Sequence, residues 1–248
     1  MGLIFKELSF GGINSMTYGI YITGEAVWNA PERSVTNIEI AGKNGDLTID
    51  NGRFFNIDVT YPAGCFADNM SDFKTKIESF RNVICSKKSY QRLTDEYNPD
   101  EFRLGIFKTG FDVTAVNMHQ AGEFTLTFDC KPQRFLTSGE AITTLTTDGS
   151  ITNPTLFPSQ PLLVVTGYGD LGIGSKTLTI EGDDPTQEIH IDCEAMEAWT
   201  ESGGVITPAN DLVQNAGDAF PTLDSGVNAI NLDSTMSQIT IVPRWWRV

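Results

Sequence analysis

The residues of this sequence best suited to chemistry are three carboxylates, Asp192, Glu194 and Glu197. A glycosidase uses two such groups, one as the acid and the other as the nucleophile or base. Asp192 and Glu194 would share one face of a predicted strand, because side chains alternate along a strand. No aromatic sugar subsite frames this pair in the local sequence, so an acidic surface is the simpler interpretation.

The segment Gly167–Gly172 matches the GxGxxG fingerprint of dinucleotide-binding proteins. That fingerprint needs a helix to begin directly after it, because the helix N-terminus holds the pyrophosphate. Here the following residues, Ile173–Ile180, have the pattern of a strand. A glycine-rich turn between strands is therefore predicted in place of a cofactor site.

Metal-binding patterns are also weak. The acidic loop Asp95–Glu101 could attract calcium, but it lacks the glycine and the ligand order of an EF-hand loop, so a solvated turn around Pro99 is favoured. The cysteines form no CxxC pair, and reduced, mostly buried thiols are expected; they are Cys65, Cys85, Cys130 and Cys193. The sequence predicts no catalytic group, no metal and no cofactor.

Aromatic residues offer one further possibility. Trp199, Trp245 and Trp246 could stack on sugar rings. Core packing is the more common role of tryptophan, and of the three only Trp199 is kept as a candidate sugar contact.

Composition and charge limit the functions and the domain organisation that the sequence allows. The chain has 248 residues, a net charge of −15 and 40% hydrophobic residues, with Thr, Ile, Val, Phe and Gly frequent. Residues 1–139 carry 14 basic and 17 acidic residues, whereas residues 140–248 carry 3 and 15. The acidic balance argues against a nucleic-acid-binding surface. The uneven charge predicts two domains, 1–139 and 140–248, and no stretch has the pattern of a signal peptide or membrane span.

Hydrophobic periodicity predicts the elements that must position these residues. Alternating residues around the turn signals Lys43–Asp46 and Asp50–Gly52 predict a long β-hairpin over about 31–61. Apolar residues three and four apart predict a helix over about 69–86. The remaining segments read as strands, and the second half reads as an antiparallel sandwich.

Taken together in their order, several stretches resemble the distal tail protein family (Dit) of long, non-contractile-tailed phages of Gram-positive hosts. They are FGGINSMTYGI, APERSVTNIEIAGKNGDLTIDNGRFFNI, YQRLTDEYNP, GEFTLTFDCKPQRFL, ITNPTLFPSQPLL and ITIVPRWW. The resemblance covers nearly the whole chain, is strongest over residues 1–139 and is weakest over Thr200–Asp233.

The resemblance implies a mainly β protein with a barrel-like or sandwich N-terminal domain and a galectin-like C-terminal β-sandwich. It implies a homohexameric ring at the phage tail tip, assembled in the host cytoplasm, through which DNA passes without specific binding. The implied partners are the tail tube protein, the tail-associated lysin or fibre protein and, through the C-terminal domain, receptor-binding or baseplate proteins.

The sequence is thus interpreted as a structural, non-enzymatic virion hub. The alternative is a tail module that binds host cell-wall polysaccharide through Trp199. In the hub interpretation the hairpin is a belt that lies on the neighbouring subunit. The predicted interface residues are Arg33, Ile38, Ile40, Lys43, Asn44, Asp46, Arg53 and Phe55.

Overall fold

The computed structural model describes residues 5–23, 28–116, 120–215 and 220–248. The fold is mainly β, which confirms the predicted class. The chain divides into two compact units, residues 1–134 with Val248 and residues 135–247. The charge break in the sequence lies a few residues further along, at Gly139.

Within its described residues, the first unit has ten strands and one α-helix. The strands are β1 (Leu8–Phe10), β2 (Ile13–Asn14), β3 (Ile20–Ile22), β4 (Arg33–Ile38), β5 (Leu47–Phe54), β6 (Ile57–Phe66), β7 (Gln91–Asp95), β8 (Glu101–Ile106), β9 (Thr114–Val116) and β10 (Ala121–Cys130). The helix is α1 (Met70–Cys85). A short strand, β11 (Arg134–Leu136), crosses the division between the units.

Most of these strands form one curled sheet. Its path runs β2-β1-β7-β8-β10-β6-β3, with β9 added beside β10. Lys6 and Ile22 pair across the ends of this path, with N–O distances of 3.2 and 2.9 Å. This isolated bridge joins β3 to the segment before β1, and the curled sheet has the shape of a half-barrel, called the barrel below.

The longest pairing in the barrel is the β6–β10 ladder, in which ten residues of each strand pair from Ile57–Cys130 to Phe66–Ala121. Alternate residues point into the core, as the pattern of β10 predicts. Phe128 is fully buried, and its ring lies 5.0 Å from that of Phe10 and 5.4 Å from that of Phe107. These aromatic contacts form the centre of the first unit.

Helix α1 covers the core beside the barrel and corresponds to the helix predicted over 69–86. The Asn69 side chain caps its start, accepting hydrogen bonds from the amides of Ser71 and Asp72 at 3.0 and 3.1 Å. The predicted apolar stripe is buried; its members are Phe73, Ile77, Phe80 and Ile84. This stripe holds α1 against the core. No helix in the described ranges is long and apolar enough to cross a membrane.

Strands β4 and β5 form a separate two-stranded sheet, and the segment Arg33–Phe54 is called the ribbon below. It is shorter than the hairpin predicted over 31–61, because Ile57–Tyr61 belongs to β6 and pairs with β10. The amide of Phe55 donates to the carbonyl of Glu32 at 2.9 Å, so the two ends of the ribbon are adjacent.

The second unit has two antiparallel sheets. The first runs β12-β22-β14-β17-β18-β19, and the second runs β13-β21-β15-β16-β20. The strands are β12 (Thr143–Leu145), β13 (Gly149–Asn153), β14 (Leu162–Thr166), β15 (Gly169–Ile173), β16 (Lys176–Ile180), β17 (Glu188–Asp192), β18 (Glu197–Ser202), β19 (Val205–Pro208), β20 (Val213–Asn215), β21 (Gly226–Leu232) and β22 (Gln238–Val242). A further short strand, β23 (Trp246–Arg247), pairs with β11.

One apolar core is shared by these two sheets. Leu163, Ile191 and Ile241 come from the first sheet, Leu171 and Ile230 come from the second, and all five are at most 1% exposed. Two sheets packed over a common core make a β-sandwich. The finer prediction, that this sandwich is galectin-like, stays a prediction.

The buried aromatic centre gives a first prediction. Phe128→Ala should lower the unfolding free energy of the first unit by about 3–5 kcal/mol, because it removes a fully buried ring and leaves a cavity. Chemical denaturation followed by far-ultraviolet circular dichroism measures the change. The control is Thr125→Ala on the exposed face of the same strand, which should shift stability by less than about 0.5 kcal/mol. Equal effects of the two substitutions would contradict the assigned register.

Candidate assembly interface and candidate sugar contact

The strand register of the ribbon separates its two faces. Ile38 pairs with Leu47 and Thr36 pairs with Ile49. Directly paired residues share one face, and positions two apart along a strand share it too. Ile38, Leu47 and Ile49 therefore lie together on one side, called the apolar face below.

The apolar face is open. The exposed fractions of Ile38, Leu47 and Ile49 are 43%, 47% and 46%. Both strands pair only with each other within the described part of the chain. A two-stranded hairpin is marginally stable alone in water, so an open apolar face of this kind is suited to contact with another surface.

The opposite face of the ribbon carries Val35, which is 42% exposed, beside polar residues that are bonded to one another between the strands. Arg33 Nη1 lies 2.5 Å from Asp50 Oδ2, and Thr48 donates to Asn37 at 2.9 Å. The hydrogen bond from the Gly52 amide, followed by that from Arg33, holds the pKa of the Asp50 carboxyl below its usual value. These bonds cross between the strands and keep the ribbon extended.

The structure distributes the predicted interface residues along the whole ribbon. Ile38 lies on the apolar face, and Ile40 follows β4 with 42% exposure. The others occupy the tip, the base or the strand ends; Lys43, Asn44 and Asp46 lie in the connection, and Arg33, Arg53 and Phe55 lie near the base. Arg53 stacks over the Phe55 ring at 5.2 Å.

Leu47 and Ile49 were missing from the predicted interface. Their signal is the alternation in the sequence Asp46-Leu47-Thr48-Ile49-Asp50, which places both apolar residues on one face of a strand.

The candidate sugar contact, Trp199, lies on the outer face of the larger sheet in the second unit. It pairs with His190, and the two rings stack with centroids 5.3 Å apart and planes 11° apart. His190 Nε2 also lies 3.2 Å from Glu188 Oε1. Sequence reasoning missed this pairing, because it depends on the register between β17 and β18. A flat, half-buried ring pair beside a carboxylate can contact a sugar ring.

The three carboxylates do not form an open acid–base pair. Arg244 holds Asp192 with two hydrogen bonds of 2.8 Å, and the amides of Glu194 and Ala195 donate to the same carboxylate. Glu194 lies 3.7 Å from Arg244 as well. The arrangement closes a turn and anchors the C-terminal segment.

The other tempting motifs are also structural. Most of the GxGxxG segment lies within β15, and the single strand predicted over Ile173–Ile180 is instead the end of β15, a turn and β16; no helix follows the segment, as predicted. Asp95 accepts hydrogen bonds from Tyr61 at 2.7 Å and from the amides of Tyr97 and Asn98, which makes the acidic loop a closed turn. No group of three or more metal-ligating side chains was found in the parts of the chain that the structure describes.

Residues 17–130, which include the ribbon, α1 and most of the barrel, match the model of the phage tail protein RIFT-related domain. This match agrees with the sequence resemblance to the distal tail protein family, which is strongest over the same part of the chain. No curated protein matches the chain.

Solved structures extend the likeness to both units. The chain is similar to the Dit protein of phage SPP1, with a TM-score of 0.75 and 14% identity over 98% of this chain and 99% of that one. That protein is described as a paradigm of the hub of the adsorption apparatus in phages that infect Gram-positive bacteria.

Chains of the phage p2 baseplate, solved with Sr or Ca, give TM-scores of 0.53 and 0.52 at 10% identity. These alignments cover 98% and 97% of this chain and 98% of each baseplate chain. The fold of this chain is therefore that of these tail proteins, including the second unit beyond the tail domain.

The Asp192–Arg244 pair gives a pH prediction. Burial raises the pKa of Asp192, but the hydrogen bonds from Arg244 and the Ala195 amide outweigh it, so the pKa is lowered in the folded protein. The stabilisation is therefore present above the unfolded pKa, about 3.9, and is lost as the pH falls through the lower folded value.

Asp192→Asn should lower the unfolding free energy by about 1–3 kcal/mol at pH 7, and the difference from the parent chain should shrink below pH 4. Tryptophan fluorescence follows this transition well, since three of the four tryptophans lie in the second unit. Glu201→Gln, at an exposed position of the same unit, is the control. A loss for Asp192→Asn that is the same at pH 7 and pH 3 would contradict the assigned role of the ion pair.

Proposed function

We propose that this chain is a structural hub at the distal end of a non-contractile phage tail. Six copies close into a ring around the DNA channel and join the tail tube to the tail-tip proteins. The observation that carries the proposal is the ribbon: a tail protein domain that holds out a two-stranded sheet with an open apolar face.

The physics of such a ribbon favours a ring. Its apolar face and strand edges gain stability only when another surface covers them. When a head-to-tail contact closes into a ring after a fixed number of copies, the ribbon of every subunit is covered. An open chain of subunits leaves the ribbon at one end uncovered. The likeness to the SPP1 Dit protein over both units supports the hub, and the family resemblance supplies the number six.

Charge and side-chain chemistry agree with a passive structural role. A conduit must not retain DNA, and phosphate contacts by basic residues would bind it strongly at low salt. The net charge of −15 opposes such retention. Asp192, the carboxylate best placed for catalysis in the sequence, is held in a structural ion pair. The proposal is therefore of a non-enzymatic virion protein.

Removing the ribbon tests assembly. A variant that replaces Arg33–Phe54 by two glycines should fold, because Glu32 and Phe55 already lie within hydrogen-bond distance. It should remain monomeric, whereas the parent chain forms rings as its concentration rises. Light scattering with size-exclusion chromatography measures the masses, and circular dichroism checks the fold. A folded deletion variant with the mass of a hexamer would refute the role of the ribbon.

A second candidate function rests on the stacked pair of Trp199 and His190. In this proposal the second unit contacts host cell-wall polysaccharide through that face of its sheet.

Titration calorimetry with soluble polysaccharide from a Gram-positive cell wall should give a binding heat. Trp199→Ala should reduce the affinity by up to about tenfold, because stacking on an aromatic ring contributes about 0.5–1.5 kcal/mol and 1.4 kcal/mol is a factor of ten. Trp28→Ala, at an exposed tryptophan of the first unit, is the control; no heat with the parent chain would exclude this candidate.

A further inference from the structure

The Asn-Gly dipeptide occurs twice in this chain, at Asn44-Gly45 and at Asn51-Gly52, and both copies lie in the ribbon. This dipeptide is chemically labile. The backbone nitrogen of the glycine can attack the side-chain carbonyl carbon of the asparagine, and glycine has no side chain that blocks the approach. The two copies share this intrinsic reactivity, so a difference between them must come from the structure around each one.

The reaction balances without a cofactor or an oxidant. The glycine nitrogen loses its proton and forms a bond to the asparagine Cγ, and the side-chain nitrogen leaves with that proton as ammonia. The resulting cyclic succinimide then takes up one water molecule. Breaking the new bond from Cγ to nitrogen gives aspartate, whereas breaking the original peptide bond gives isoaspartate. Either product replaces a neutral amide by a carboxylate.

The ribbon restrains both reacting groups of the second copy. The side-chain amide of Asn51 donates to the hydroxyls of Ser34 and Thr36, each at 3.2 Å. The Gly52 amide, whose nitrogen would attack, donates to Asp50 Oδ1 at 2.9 Å. Removing a proton from this nitrogen would break that bond and place negative charge beside a carboxylate. Asn51 also lies within β5, so turning its backbone to close the succinimide would disturb the strand.

The first copy lies at the tip of the ribbon and has no such restraint. Asn44 is exposed in the connection between β4 and β5. Neither its side chain nor the Gly45 amide makes a hydrogen bond within the described part of the chain. No atom lies within 4 Å of the place that a Cβ on Gly45 would take. The Gly45 nitrogen can therefore approach the Asn44 side chain without breaking a contact.

We propose that Asn44 is a site of spontaneous deamidation, and that the ribbon protects Asn51 from the same reaction. The inference concerns the folded chain and does not depend on the ring. Residues 33–54 carry three basic and three acidic residues, so the new carboxylate gives the ribbon a net negative charge. The isoaspartate product also lengthens the backbone between β4 and β5 by one methylene group. A sample of the chain becomes a mixture of ribbon tips as it ages.

Mass spectrometry of the aged chain tests the contrast between the two sites. The full chain is incubated at mildly alkaline pH and digested with pepsin in acid, where the reaction is slow, and fragmentation assigns the mass gain to Asn44 or Asn51. Asn44 should react at least about tenfold faster, because the hydrogen bonds around Asn51 must break first and each adds to the barrier. In concentrated urea the two rates should be similar. Equal rates in the folded chain, or a faster Asn51, would overturn the proposal.

A substitution tests the source of the protection. Thr36→Val removes the hydroxyl that bonds Asn51 and keeps a β-branched side chain suited to a strand. It should raise the Asn51 rate by about threefold or more and leave the Asn44 rate unchanged. Thr48→Val is the matched control, since the Thr48 hydroxyl donates to Asn37 and not to Asn51. Circular dichroism confirms that both variants fold. An unchanged Asn51 rate in folded Thr36→Val would refute the assigned protection.

Anion-exchange chromatography identifies the product by its charge. The aged parent chain should gain a later-eluting species that elutes with freshly prepared Asn44→Asp. Asn44→Gln should form this species far more slowly, because attack on the longer side chain closes a larger ring. If Asn44→Gln forms the acidic species as fast as the parent chain, the reaction lies at another residue and the assignment to Asn44 is overturned.

Discussion

The β6–β10 ladder is the constraint on which the first unit depends. Ten consecutive pairs join the two strands, and the inward residues from Val59 to Cys65 and from Phe124 to Cys130 are buried. A slip of one residue would turn these side chains to the solvent, so the hydrophobic core fixes the register. Because the ribbon lies at one end of this ladder and α1 begins near the other, the core also fixes the distance between them.

The ribbon shows how a small element can be ordered without a core of its own. Polar bonds between its strands, such as Arg33–Asp50 and Thr48–Asn37, hold the backbone extended and leave the apolar side chains open. A surface that is already shaped loses less conformational entropy when it binds. The marginal stability of an isolated hairpin and its suitability as an interface thus have the same origin.

Sequence periodicity predicts the local elements well. It fails where the end of an element or a side-chain contact depends on residues far away in the sequence. The apolar spacing and Asn69 predict α1 because both signals lie within the helix. The end of the ribbon at Phe54 is not predictable in this way, since Ile57–Tyr61 continues the same alternation and only its pairing with β10 separates it. Arg244 reaches Asp192 across 52 positions of sequence, so that ion pair carries no local signal at all.

An exposed ribbon is also an aggregation hazard, because strand edges and apolar surface invite unspecific pairing. Three features limit this hazard. Charged residues such as Glu39, Lys43 and Asp46 lie at the tip, the ribbon has only two strands, and most of its exposed apolar residues lie on one face. When the rotation from one copy to the next closes a ring, every ribbon is covered and growth stops; when it does not, the same contact builds a filament. The angle between the ribbon and the surface that it contacts therefore decides between a ring and a fibre.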